Sequence, residues 1–92
     1  DALRMLGKAA FIASTRDTRK VMVMAASDRV DFATPIHEGE MVELAARIIM
    51  RGNRSRRVRV ELWAEDLLSA ARRRAASAEF VMVATAPAHF GK

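Results

Sequence analysis

The first stretch, Ala2–Ser14, reads as the one helix of the chain, and everything after Thr15 reads as strand and turn. In helical projection Leu3, Leu6, Ala10 and Ala13 share one side, with Met5, Ala9 and Ile12 beside them. Arg4 and Lys8, one turn apart, mark a narrow polar stripe. An apolar face this wide requires burial on most sides. Ala9, Ala10 and Ala13 are small enough to let another backbone come close. One helix with only strands to cover it constrains the architecture to a single sheet curled around that helix, an α+β arrangement. Gly7 sits in the middle of the helix, where glycine costs about 1 kcal/mol relative to alanine.

The helix is expected to end between Ser14 and Asp17, followed by the polar connection Thr15–Lys20. Val21–Ala25 is apolar at every position, the pattern of a strand covered on both faces. It continues through Ser27–Phe32, with Val30 and Phe32 on one face and Arg29 and Asp31 on the other. Asp28 and Asp31, three apart, are predicted to point to opposite faces and so cannot act as a carboxylate pair. Pro35 and Gly39 bracket a turn. Glu40–Arg51 is the clearest strand: Val42, Leu44, Ala46, Ile48 and Met50 alternate without a break. Gly52–Ser55 is a hairpin turn, in which Gly52 and Asn53 tolerate positive φ. The return strand places Val58, Val60, Leu62 and Ala64 inward and Arg57, Arg59, Glu61, Trp63 and Glu65 outward. After a connection at Asp66–Ala71 a last strand is predicted from Arg74 to Thr85, apolar on both faces over Phe80–Ala84, and the tail after Pro87 is expected to be loose.

At 92 residues the chain is one small domain, read over 1–92. A core of this size is marginal alone and favours pairing with another subunit. The absence of cysteine excludes a disulfide scaffold, a thiolate-held metal and a cysteine nucleophile, and fits a reducing compartment. No apolar run approaches the roughly 20 residues of a membrane span. No signal peptide is visible, but the chain opens without Met and inside a helical pattern, so a preceding segment is expected. Sixteen Lys and Arg residues against eleven acids give a net charge of +5. The excess is local, in Arg51, Arg54, Arg56, Arg57 and Arg59 and in Arg72–Arg74. Such runs form either a solvated face or a site for a phosphate-bearing partner. With no Tyr and one Trp the chain is poorly equipped to stack single-stranded bases, so nucleic acid is disfavoured as a partner. His37 and His89 lack a neighbouring carboxylate at metal-ligand spacing, and no metal site is expected. None of the serines lies in a Gly-x-Ser-x-Gly elbow, and the four glycines are too scattered to cradle a phosphate.

Three segments carry a family resemblance. Ala26–Glu40, with its Asp-Phe pair, then Pro-Ile, then Gly-Glu, resembles the second strand and turn of hot-dog-fold acyl-CoA thioesterases of the cytosolic acyl-CoA hydrolase type. Val58–Asp66 resembles the strand after that family's hairpin, and Phe80–Ala84 its closing strand. The resemblance implies a hot-dog fold, a long helix wrapped by a curved antiparallel sheet. It also implies hydrolysis of acyl-CoA to free fatty acid and CoA in the cytoplasm. CoA is then part of the substrate and no cofactor is consumed. The family works as homodimers or higher homo-oligomers, such as trimers of dimers, with sites at subunit interfaces. An acid on its helix orients or activates water, and backbone N–H groups near the helix start polarise the thioester carbonyl.

Two departures bear on catalysis. The family reads Met-Asp-Glu-Ala-Ala or Met-Asp-Lys-Ala-Ala on the helix, whereas Met5–Ala10 places Gly7 where the catalytic Asp is expected. The first strand and glycine pair that precede the family's helix are not in the sequence. The family's Gly-Arg-Ser-Ser turn near CoA corresponds to Gly52-Asn53-Arg54-Ser55, with the Arg displaced by one place. The substrate-binding set implied is Phe32, Gly52, Asn53, Arg54, Ser55 and Arg56. Met22, Met24, Met41 and Met50 could line an acyl tunnel with Phe32, or be plain core. Trp63 marks either an exposed surface or a subunit contact. The alternatives to a thioesterase, catalytically impaired at Gly7, are a non-catalytic hot-dog acyl-CoA-binding or structural module and, more weakly, a basic nucleic-acid-binding domain.

Overall fold

The computed structural model describes residues 2–85. Helix α1 spans Ala2–Thr18 and is followed by β1 (Met22–Phe32), β2 (Glu40–Arg51), β3 (Ser55–Asp66) and β4 (Arg72–Ala84). The four strands form one antiparallel sheet in the order β1-β4-β3-β2. β2, β3 and β4 are joined by hairpins, while the chain crosses from one sheet edge to the other between β1 and β2. The tail after Pro87, His89 and Asp1 lie outside the described residues.

The helix continues past Asp17 to Thr18 because Arg19 closes it. Arg19 adopts φ 59°, the left-handed conformation that ends helices, and its N–H donates to Thr15 O at 2.7 Å. Only the stripe Leu6, Ala10 and Ser14 is fully buried. Ser14 is accommodated there because its hydroxyl donates to Ala10 O at 2.8 Å. The expected burial of the helix on most sides is therefore corrected: Leu3 is 43% and Ile12 45% exposed. The sheet covers one face only.

Leu6 and Ala10 pack on Met22, Val58, Val60, Leu62, Ala76, Ala78, Phe80 and Met82. This core sits over β3 and β4, the two central strands. β3 alternates as the sequence predicts, with Val58, Val60, Leu62 and Ala64 buried. β4 begins two residues before the predicted Arg74 and is buried at every position from Ala75 to Phe80. The edge strands differ. In β1 only Met22 is buried, so the predicted covering of residues 21–25 on both faces does not occur; Val23 and Met24 are exposed. In β2 the predicted alternation holds from Val42 to Ile48, of which only Ile48 is half-buried; a bulge between Ile48 and Met50 then sets Met50 opposite Arg57 and corrects its predicted place on the apolar face.

Bulges in β1 and β4 reshape the faces there too. In β1, Asp28 pairs with Glu79 and Asp31 with Ser77, and Arg29 between them has φ 50°. The extra residue puts Asp28 and Asp31 on the same sheet face, which corrects the prediction of opposite faces. In β4, Leu62 pairs with Ala76 but Trp63 with Arg74, leaving Ala75 without a partner on β3. The carbonyl of Ala75 accepts instead from Ala33 N–H at 2.9 Å and Thr34 N–H at 3.2 Å.

Candidate active site

Gly7 lies on the flank of α1 that faces β1. It is half-buried, and a Cβ added there would meet Met24 Cε at 3.3 Å. The Met24 methyl thus already occupies part of the space a larger residue would claim. The opposite flank of the helix forms a groove of about 430 Å³ with β2, lined by Met5, Ala9, Ile12, Leu44 and Ala46, with Lys8 and Arg16 at its rim.

The β2–β3 turn is closed by Gly52 N–H donating to Ser55 O at 2.9 Å. Neither Gly52 nor Asn53 has positive φ, contrary to the turn chemistry expected from the sequence; among the described residues that conformation occurs at Arg19, Arg29, Gly39 and Ala70. Gly52 is favoured by space instead, since a Cβ would come within 2.5 Å of Ser55 Oγ. Asn53, Arg54 and Arg56 line a small pocket of about 140 Å³ with Asp17, Thr18 and Lys20, at the C-terminal end of α1.

Asp17 organises this end. It accepts from Arg51 Nη2 at 2.7 Å, Arg51 Nε at 3.1 Å and Arg56 Nε at 2.7 Å. The Arg51 guanidinium, then that of Arg56, hold its carboxyl down at about 2. Arg56 is further fixed by donating from Nη1 to Gly52 O at 2.9 Å and Ser55 O at 2.7 Å. Arg54 makes a looser contact, from Nη2 to Ala84 O at 3.4 Å. Of the two arginines proposed from sequence to bind anions, Arg56 is held by the protein and Arg54 presents its charge outward.

Phe32 is elsewhere. It pairs with Ala76 on β4, whereas Ser55 pairs with Val83, seven residues along the same strand and roughly 23 Å away. Phe32 is 55% exposed and lines an apolar pocket of about 320 Å³ with Ala2, Pro35, Ile36 and Leu62. Gly7 is intermediate, ten residues and roughly 15 Å up the helix from Asp17. The chain therefore brings Gly52, Asn53, Arg54, Ser55 and Arg56 together and sets Gly7 and Phe32 progressively farther along one long face. The methionines do not share a tunnel within one chain: Met22 is core, while Met24, Met41 and Met50 are exposed. Asp17 and Lys20 were not singled out from sequence, because nothing in the polar run Thr15–Lys20 indicates that it folds back onto residues 51–56.

Four more arginines of the two basic runs are engaged laterally. Glu79, 7% exposed on β4, accepts from Arg57 Nη1 at 3.1 Å and Arg59 Nη1 at 2.9 Å. Arg72 stacks over Trp63, 5.2 Å from its ring centre, and donates to Glu43 at 2.7 Å. Arg74 pairs with Glu61 at 3.3 Å. A duplex would have to displace these carboxylates to reach the guanidinium groups, which speaks against the nucleic-acid reading. Trp63 faces outward as predicted and is half-covered by Arg72. Among the described residues no helix is long and apolar enough to cross a membrane.

Comparison with known proteins places this geometry. The family model of the Thioesterase superfamily matches residues 2–71. The fold superposes on an acyl-CoA hydrolase of Agrobacterium tumefaciens with a TM-score of 0.84 and 40% identity, covering 91% of this chain and 34% of that one. An acyl-CoA hydrolase of Bacillus cereus gives a TM-score of 0.88 at 31% identity, covering 94% and 52%. A hexameric thioesterase of Yersinia pestis gives 0.84 at 26%, covering 95% and 70%. The chain thus spans about a third to a half of the length of the two acyl-CoA hydrolases. A search of curated proteins gives no match. The helix laid on a four-stranded antiparallel sheet is the hot-dog fold, and the chain belongs to the thioesterase superfamily.

Proposed function

We propose that the protein is an acyl-CoA thioesterase acting in the cytoplasm as a homo-oligomer, a dimer or a trimer of dimers. The observation that carries this reading is the layout of one face. A cationic turn with Arg54, Lys20 and Asn53 lies at one end, the helix carrying Gly7 in the middle, and an apolar pocket at Phe32 beyond it. Such a face suits an elongated ligand with a phosphate-bearing head and an apolar tail. The similarity to acyl-CoA hydrolases supports the same reading. Arg54 is assigned to the phosphates of CoA, with Asn53 and Ser55 as neutral donors and Gly52 keeping the turn tight. Arg56 shapes that turn and adds charge.

In thioester hydrolysis water adds to the carbonyl carbon, the C–S bond breaks, and the CoA thiolate leaves and is protonated. A carboxylate at position 7 would take the proton from the attacking water. Gly7 supplies none, so the chain as it stands binds CoA esters and hydrolyses them slowly. Gly7→Asp is expected to raise the steady-state rate by roughly a hundredfold or more. The Cβ contact with Met24 Cε requires only the flexible end of that side chain to move. Equal and substantial rates from both proteins across acyl lengths would show that catalysis does not depend on this position.

A further inference from the structure

Arg73 is the one member of the Arg72–Arg74 run that the β4 bulge turns toward the helix side, opposite Ala64. Its guanidinium is spent almost entirely on the connection between β1 and β2. Nε donates to Thr34 Oγ1 at 2.8 Å and Nη2 to Pro35 O at 2.5 Å. Nη2 also donates to Glu40 Oε1 at 3.0 Å, and Nη1 donates to Glu40 Oε2. Glu40, whose side chain is 7% exposed, accepts in addition from His37 N–H at 2.7 Å. The Arg73 guanidinium and that N–H hold the Glu40 carboxyl down at about 2, so the pair stays ionised through the physiological range. The paired N–H groups of Ala33 and Thr34 on Ala75 O complete the attachment.

The segment fastened in this way, Ala33–Ile36, is one wall of the apolar pocket beside Phe32. Residues in a connection ordinarily move freely. Here a charged, forked side chain fixes a wall that itself contributes mainly apolar surface.

We propose that Arg73, with Glu40, is a positioning residue that sets the depth of this pocket and thereby the length of aliphatic acyl tail the protein accepts. The inference rests on the thioesterase reading. Neither residue touches the tail. The planar fork of Arg73 reaches Thr34, Pro35 and Glu40 at once, which lysine cannot do.

The test uses the intact protein and a graded series of S-alkyl-CoA thioethers, which bind without being cleaved. In the wild type, affinity is expected to rise about fourfold per methylene while the tail is being buried. It then breaks sharply where the wall is met. Arg73→Lys should move that break to longer tails or abolish it, with the affinity for CoA itself unchanged. Thr34→Val, which removes one acceptor and leaves the Arg73–Glu40 pair intact, should move it the same way by less and guards against misfolding of the first variant. A break at the same length in both variants overturns the assignment, even if they melt earlier. So does dissociation of an oligomer without a change in the length profile, which would make the wall a subunit contact. Failure of the wild type to bind any CoA ester overturns the thioesterase reading itself and this inference with it.

Discussion

At the scale of single residues the two arginines of the β2–β3 turn separate cleanly. Arg56 spends Nε and Nη1 on Asp17, Gly52 and Ser55, whereas Arg54 has one long contact. Arg54→Ala is expected to weaken CoA binding roughly tenfold or more while leaving the melting temperature unchanged. Arg56→Ala should lower both, because it releases the turn as well; calorimetric titration beside thermal melts distinguishes the two. Asp17 gives a pH signature. Its carboxyl falls from an ordinary 3.8 to about 2 on folding, so the folded state binds fewer protons than the unfolded chain at mildly acid pH. Its contribution is fully present above the unfolded value and is lost as pH falls toward 2. Thermal melts from neutral to acid pH should show that loss, and Asp17→Asn should reduce the acid-dependent part of it. That Gly7 lies inside the helix was legible from the apolar pattern on either side of it. The partners of Arg51 and Arg56 were not, because a pairing across more than thirty residues leaves no local periodicity.

The elements follow the same division. The alternation in Glu40–Arg51 and Arg57–Glu65 has period two, and both strands form where that pattern places them, although in the first it holds only as far as Ile48. A bulge is a property of a pair of strands and has no period. This is why the faces of Asp28 and Asp31, and the separation of Arg73 from its neighbours, could not be read in advance. Burial failed for a related reason: an apolar residue requires a cover, and the pattern does not say which element provides it. On the outer face of β4, Glu79 sits between Arg57, Arg59 and, at 3.7 Å, Arg29. Removing it leaves Arg57 and Arg59 with only the looser partners Asp28 and Glu61, each at 3.7 Å, and takes from Arg29 the carboxylate it faces. Because those arginines are partly exposed and can rehydrate, Glu79→Ala is expected to cost about 2 kcal/mol, below the range for a fully buried pair. Urea unfolding measures it, and Glu79→Gln should recover part of the loss by keeping one acceptor.

The whole molecule is thin for its length. Its radius of gyration is 15.2 Å and its extents are 55 × 25 × 19 Å, against about 12 Å expected for a compact domain of this size. Leu3, Met5, Ile12, Val42 and Leu44 remain exposed around the helix and the inner face of β2. Burying such a surface against another copy contributes stabilisation in proportion to its area. Sedimentation at micromolar concentration should therefore give dimers or larger species, and a stable folded monomer would contradict the homo-oligomer proposed above. The crossing from β1 to β2 also governs the order in which the sheet can be made. Met22 lies opposite Ala84, sixty-two residues away in sequence, whereas the β2–β3–β4 meander closes through short turns. Contacts of such sequence separation form slowly, because a long loop must be closed before any pairing offsets its entropy. Within the described chain β1 precedes its partner β4 by two whole strands, so the two meet only after β2 and β3 have emerged. Until β4 has formed, Val23 and Met24 lack that partner, which leaves an apolar stretch of the nascent chain open to aggregation.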